Sequence, residues 1–145
     1  MRGIMVATDG SDSANRAVDI AAELARMGGC ALHIVNVASD LPEEALDQLK
    51  QNPAMDQLVG DAIEMRSRGV LAHARERASA KGVTDIQTRQ AWGDVAEKVL
   101  EASAQAGADM LVVGRRGRGR LAGLLLGSVS QKLASLSPCA VVVVP

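Results

Sequence analysis

Apolar and polar positions alternate in blocks along the chain, and this pattern predicts five buried strands separated by helices. The short, continuous apolar runs predict strands at residues 3–8, 30–37, 83–91, 108–113 and 139–144. Runs with apolar residues on one face predict helices at residues 14–27, 55–81, 95–106 and 128–136, with a candidate short helix at 42–50. Strands that are apolar throughout and alternate with helices are typical of a parallel sheet covered on both faces. The third strand is more polar than the others, so we place it near a sheet edge.

Length and composition limit the number of domains, the type of core and the classes of partner. A chain of 145 residues corresponds to one domain with an aliphatic core, because it has no Phe or Tyr and a single Trp. The 16 basic and 17 acidic residues nearly cancel, and aromatic stacking platforms are absent, which argues against nucleic acid and membrane surfaces as partners. The apolar runs are too short for a membrane span or a signal peptide, so we expect a cytoplasmic protein. Cys30 and Cys139 lack metal-ligand spacing, and we expect them to be buried free thiols.

The stretch from Gly114 to Ser130 has a composition suited to binding phosphate. It combines glycines that let the backbone approach a ligand with arginines that match phosphate oxygens: Gly114, Gly117, Gly119, Arg115, Arg116, Arg118 and Arg120. Ser128 and Gln131 fit a capping box, which predicts a helix beginning at Ser128. A helix N-terminus offers free N–H groups and partial positive charge to an anion. The alternative interpretation is a solvated surface loop.

Three phosphate-binding motifs compete for this stretch. The P-loop is excluded because no Gly-x-x-x-x-Gly-Lys run is present. The dinucleotide fingerprint matches literally at Gly117-Arg118-Gly119-Arg120-Leu121-Ala122, but this run lies inside a loop and no acidic residue follows Asp109. The third pattern, Gly114-x2-Gly117-x9-Gly127-Ser128, demands three glycines and a serine at set spacings, and it is the one we retain.

That pattern resembles the nucleotide-binding signature of the ATP-binding branch of the universal stress protein family. The resemblance extends over the whole chain, through Met5-Val6-Ala7-Thr8-Asp9-Gly10-Ser11 at the start, His33-Ile-Val-Asn-Val37 in the second strand, and Pro138-Cys139-Ala140 before the final valines. It implies an α/β, Rossmann-like adenine nucleotide-binding fold, with a five-stranded parallel sheet in the order 3-2-1-4-5 and helices on both faces.

The resemblance also implies roles for individual residues. Ala7, Thr8 and Asp9 would lie near adenine and ribose, and the backbone of Val37 would contact the adenine. The ribose and phosphates would be bound by Gly114, Arg115, Arg116, Gly117, Arg118, Gly127, Ser128, Val129 and Ser130. Asp9 has two interpretations, a turn residue that starts the first helix, or a ligand contact through Mg²⁺.

We therefore expect a homodimeric regulatory stress protein that binds ATP, ADP or AMP and acts on an unidentified partner protein. The dimer would pair the C-terminal strands from Cys139 to Val144, if that strand lies at an edge rather than in the centre of the sheet. The alternative function is a slow ATPase or nucleotidyl-transfer enzyme on the same scaffold. The sequence shows no positioned base, nucleophile or Walker lysine, so we assign no catalytic residue and expect weak ATP hydrolysis at most.

Overall fold

The chain forms a five-stranded parallel sheet with helices on both faces, as the sequence predicts. The computed structural model describes residues 1–38, 47, 51–116 and 126–145. The strands are β1 (Gly3–Ala7), β2 (Ala31–Ala38), β3 (Ile86–Trp92), β4 (Met110–Gly114) and β5 (Ala140–Val144). The helices are α1 (Asp12–Gly28), α2 (Pro53–Ala80), α3 (Val95–Ala106) and α4 (Ser128–Leu136). The strand order is β3-β2-β1-β4-β5, with every pairing parallel, which confirms the predicted order.

The predicted boundaries of α3 and α4 are confirmed, whereas those of the other elements differ by up to three residues. The largest difference is at β3, which begins at Ile86 rather than at residue 83. Val83 lies in the segment between α2 and β3, where its N–H donates to the carbonyl of Ala78 at 3.3 Å. The candidate short helix at 42–50 lies outside the described residues except for Asp47, which is helical.

Polar side chains and glycines at the helix ends explain where the helices begin and stop. Ser11 caps α1 by accepting from the N–H of Ala14, and Asp94 caps α3 by accepting from the N–H of Glu97. Gly29 and Gly107 follow these helices with φ near +60°, a left-handed conformation that glycine adopts without steric cost.

Alternating side chains of the strands build two separate hydrophobic clusters. Ile4 and Val6 point to the face covered by α1 and α2, where they pack with Val18. Met5 points to the opposite face and packs against residues of α3 and α4, including Val99 and Leu133. Both faces of the central strands are therefore buried, which accounts for their continuous apolar sequence. Among the described helices, none is long and apolar enough to cross a lipid bilayer.

The central strand β1 ends before its neighbours and leaves a notch at the carboxyl edge of the sheet. Its last pair with β2 is Ala7–Val35, whereas β2 continues for three residues beside β3, to the Ala38–Trp92 pair. On the other side, β4 continues to the Gly114–Val144 pair with β5. We call the gap beyond Ala7, between residues 36–38 of β2 and 113–114 of β4, the notch. It lies where strand order reverses, the place where ligands bind to open α/β sheets.

Candidate functional site

The turn that leaves β1 forms the floor of the notch. The N–H of Thr8 donates to the carbonyl of Val35 at 2.9 Å, and its Oγ1 accepts from the N–H of Gly10 at 3.2 Å. The Oδ1 atom of Asp9 accepts from the N–H of Ser11 at 2.9 Å, in an Asx-turn that leads into α1. The turn interpretation of Asp9 is therefore observed, and its second carboxylate oxygen, Oδ2, is not used by that hydrogen bond.

A chain of buried polar groups connects this turn to α2. Asn36 donates from Nδ2 to the carbonyl of Thr8 at 2.7 Å, and the hydroxyl of Ser67 donates to Oδ1 of Asn36 at 2.5 Å. The sequence reasoning missed both Asn36 and Ser67. The signal that could have found Asn36 is a polar amide in the middle of a buried apolar strand.

Gly114 ends β4 at the notch and packs directly against the start of α1. A Cβ at this position would lie 2.5 Å from Oγ of Ser13 and 3.0 Å from the backbone N of Ala14. Because Thr8 and Gly114 each follow the Val6–Val112 pair by two residues, both lie at the same level of the sheet. The absence of a side chain at Gly114 thus has a packing cause that is independent of any ligand.

Arg115 joins β5 to the start of α4 through its backbone. Its N–H donates to the carbonyl of Val144 at 2.6 Å, and its carbonyl accepts from the N–H of Gly127 and the hydroxyl of Ser130, both at 2.8 Å. The side chains of Arg115 and Arg116 are partly buried beside this junction. In the described part of the chain, the buried Nε of Arg115 has no hydrogen-bond partner.

The capping box predicted for Ser128 and Gln131 is wrong. The N-cap of α4 is Gly127, which has no side chain to offer, and Ser128 is the first helical residue. The hydroxyl of Ser130 instead donates back to the carbonyls of Arg115 and Gly127. Among the described residues, no side chain caps the N–H groups of the first turn, and these groups have no acceptor within the helix.

The remaining predicted site residues lie either on the sheet or outside the described part of the chain. Ala7 and Val37 lie on the sheet face covered by α3 and α4, and Val37 is partly buried next to that cluster. Val37 lies two residues beyond the last β1–β2 pair, Ala7–Val35, so its backbone is not paired with β1. Gly117 and Arg118 lie outside the described residues. The other predicted residues lie where β1 and β4 end or at the start of α4, which is bonded to the carbonyl of Arg115: Thr8, Asp9, Gly114, Arg115, Arg116, Gly127, Ser128, Val129 and Ser130.

The described residues gather no cluster of three or more His, Cys, Asp or Glu side chains that could hold a metal ion. His33 pairs with Met5 and Gln87, below the notch, and His73 lies on α2. Cys30 and Cys139 are free thiols, as expected, but each is only partly buried where it packs against the core.

The fold, with its notch at the switch point and an uncapped helix start beside it, places the chain in the class of doubly wound α/β proteins. Comparison with known families gives the assignment within that class. The model of the universal stress protein family matches residues 1–145, so the chain belongs to this family.

Individual relatives agree with the assignment. The chain is 31% identical to the universal stress protein YxiE of Bacillus subtilis, over 97% of each chain. A universal stress protein crystallised in complex with cAMP is 33% identical, with a TM-score of 0.71 over 99% of this chain and 95% of the other. A universal stress protein of Archaeoglobus fulgidus in complex with dAMP is 17% identical, with a TM-score of 0.72 over 100% and 98%, a likeness of fold alone.

Proposed function

We propose that this protein binds an adenine nucleotide in the notch, with the phosphates at the start of α4, and that it acts as a regulatory homodimer. Nucleotides of the ATP, ADP and AMP type are the expected ligands. A family member that is one-third identical over nearly its whole length forms a complex with cAMP, and this supports the ligand class.

The observation that carries the proposal is the chemistry at the N-terminus of α4. Among the described helices, α1, α2 and α3 each have an acidic residue in the first turn and a side-chain cap, whereas α4 has neither. Its partial positive charge and its N–H groups at Ser128, Val129 and Ser130 are thus left for an external anion. The partly buried side chains of Arg115 and Arg116 add positive charge beside it.

The base and ribose would occupy the notch between β2 and β4. Ala7, Thr8 and Val37 border this space through their backbone, and the carboxylate of Asp9 lies at its floor. Oδ2 of Asp9 suits a Mg²⁺ ion that also binds the nucleotide phosphates, because one carboxylate together with phosphate oxygens is a common Mg²⁺ ligand set. Gly117 and Arg118 complete the proposed site by sequence.

The test is calorimetric titration of the purified protein with ATP, ADP, AMP and cAMP, with and without Mg²⁺. The supernatant of heat-denatured protein is also analysed for adenine nucleotide that copurifies. We expect saturable binding of at least one nucleotide, and a loss of at least tenfold in Gly127→Val, since a Cβ there already lies 3.2 Å from the carbonyl of Arg115. Gly69→Ala is the control, at a glycine where no described atom beyond the backbone of its own helix lies within 4 Å of the added Cβ. Absence of binding to every nucleotide would contradict the proposal.

The two edges of the sheet differ in a way that favours β5 for the dimer. On the edge strand β3, Gln87, Thr88 and Arg89 are exposed, and polar or charged edges resist pairing. On the other edge, Val141, Val142 and Val143 of β5 are only partly buried. A second copy paired through the strand from Ala140 to Val144 would cover these valines. Sedimentation of wild type and Val142→Lys tests this, with a dimer and a monomer expected, and a monomeric wild type would contradict it.

A further inference from the structure

Three polar groups form a buried hydrogen-bonded chain directly beside the notch. Asn36, Ser67 and Thr8 are only 7%, 3% and 5% exposed. The amide of Asn36 uses its donor on the carbonyl of Thr8 and its acceptor on the hydroxyl of Ser67. The strand around Asn36 is otherwise apolar on this face, with Leu32 and Ile34 fully buried. A buried amide is costly unless both of its ends are paired, and here they are.

The hydrogen bond from Asn36 lies where the backbone ladder of β1 ends. Beyond the Ala7–Val35 pair the chain leaves the sheet, and the backbone of Thr8 is fixed on both sides of its Cα by two contacts. Its N–H is bonded to the carbonyl of Val35, and its carbonyl is bonded to the side chain of Asn36. The direction of the carbonyl of Thr8 sets the path of the following turn, which carries Asp9 and leads to Ser11.

We infer that Asn36, held in place by Ser67 from α2, is a positioning residue that fixes the turn after β1 in the geometry required for nucleotide binding. The inference rests on the proposed function, because the turn forms the floor of the proposed site. Asn36 need not touch the nucleotide, since it acts through the carbonyl of Thr8. An apolar residue of similar size would fill the same volume but could not orient that carbonyl.

The discriminating variant is Asn36→Asp, which keeps the shape and removes the donor when the carboxyl group is ionised. Burial raises the pKa of an introduced carboxyl group, so at low pH the protonated oxygen can still donate to the carbonyl of Thr8. At high pH the carboxylate repels that carbonyl. We expect the affinity of Asn36→Asp to approach wild type near pH 5.5 and to be roughly tenfold weaker near pH 8.5, the loss that one buried hydrogen bond commonly causes.

The probe is cAMP, whose phosphodiester keeps one charge across this range, and ADP is measured in parallel. Asp9 on the turn, the exposed Glu64–Arg68 pair on α2 and every other charged group are present in both proteins, so an effect of pH that is common to wild type and variant cancels in the ratio of their affinities. Gln90→Leu is the matched control, because Gln90 pairs with Asn36 on the next strand and its amide nitrogen makes no hydrogen bond to the turn. Leu71→Ala, in the core cluster beneath α2, controls for destabilisation alone.

Hydrogen exchange of the Gly10 and Ser11 amides provides a second readout that needs no ligand. We expect faster exchange than in wild type at the same pH for Ser67→Ala, and for Asn36→Asp at high pH only. If wild type binds no nucleotide while this exchange pattern is found, the proposed function fails but the anchoring by Asn36 holds. A pH profile of Asn36→Asp parallel to wild type, in affinity and in exchange, would overturn the inference.

Discussion

Replacing Gly114 by alanine is expected to destabilise the fold although it adds only one methyl group at the end of a strand. The new Cβ would meet Oγ of Ser13 at 2.5 Å and two backbone atoms, the carbonyl carbon of Ser13 and the N of Ala14, at 3.0 Å. Contacts this short force a shift of one element. The start of α1 resists it, because Ser11 caps the helix and the hydroxyl of Ser13 donates to the carbonyl of Val144 at 3.2 Å.

We estimate a loss of about 2–3 kcal/mol in the free energy of unfolding, the upper part of the range for overpacking a well-packed site. Urea titration followed by circular dichroism measures it, with the midpoint falling at unchanged slope. Ser13→Ala in the same chain removes the closest contact but leaves both backbone contacts, so we expect partial recovery only.

Gly69→Ala is the control for the intrinsic effect of the added methyl group. Gly69 lies within α2, and apart from the backbone of its own helix no described atom lies within 4 Å of the Cβ position. Alanine in a helix interior is favoured over glycine by about 0.5–1 kcal/mol, so this variant is expected to be more stable than wild type. If Gly114→Ala were as stable as wild type, the packing explanation for this glycine would be wrong.

Three further predictions concern contacts outside the notch. Ser130→Ala, at a side chain that is 2% exposed, removes the donor to the carbonyl of Arg115 and is expected to cost about 1 kcal/mol by urea titration; unchanged stability would contradict this. The backbone N–H of Arg2 holds the pKa of Asp109 below its ordinary value of 3.8, with help from the guanidinium of Arg2. The stability due to ionised Asp109 is thus present above pH 3.8 and is lost as the pH falls through the pKa of the folded state. Asp109→Asn should therefore lower the free energy of unfolding at pH 7 but not at a pH below the pKa of the folded state. Arg77→Lys loses the bidentate contact in which the guanidinium of Arg77 donates to both carboxylate oxygens of Asp19, at 3.0 and 2.5 Å. A double-mutant cycle between Arg77 and Asp19 should give a coupling energy of about 0.5–1 kcal/mol rather than zero.

The fold could be predicted from the sequence because the patterns that specify its strands and helices are local and recur along the chain. Continuous apolar strands between amphipathic helices specify a parallel sheet with two covered faces, and polar β3 was correctly placed at an edge. Helix α3 has clear signals at both ends, Asp94 before it and Gly107 after it, so its boundaries were predicted to the residue.

The candidate site could be predicted only in part from the sequence, because its geometry depends on contacts between residues that are distant along the chain. The first turn of α4 contains serines at two cap-like positions, Ser128 and Ser130, and only the contacts of Ser130 with Arg115 show why Gly127 is the cap. Similarly, the sequence explains Gly114 by backbone freedom, whereas the structure shows close packing on Ser13, a residue 101 positions away. Asn36 was overlooked because a strand is predicted from its run of apolar residues, and a single polar residue within the run does not change that prediction.

The most direct test of the central claim is a titration of ¹⁵N-labelled protein with an adenine nucleotide, followed through the backbone amide resonances. The account predicts saturable shifts at Ser128, Val129 and Ser130, at the turn around Asp9 and at Val37, with little change at the amino edge near Gly3 and Ala31. Shifts confined to other surfaces, or none at millimolar ATP, ADP, AMP and cAMP, would contradict it.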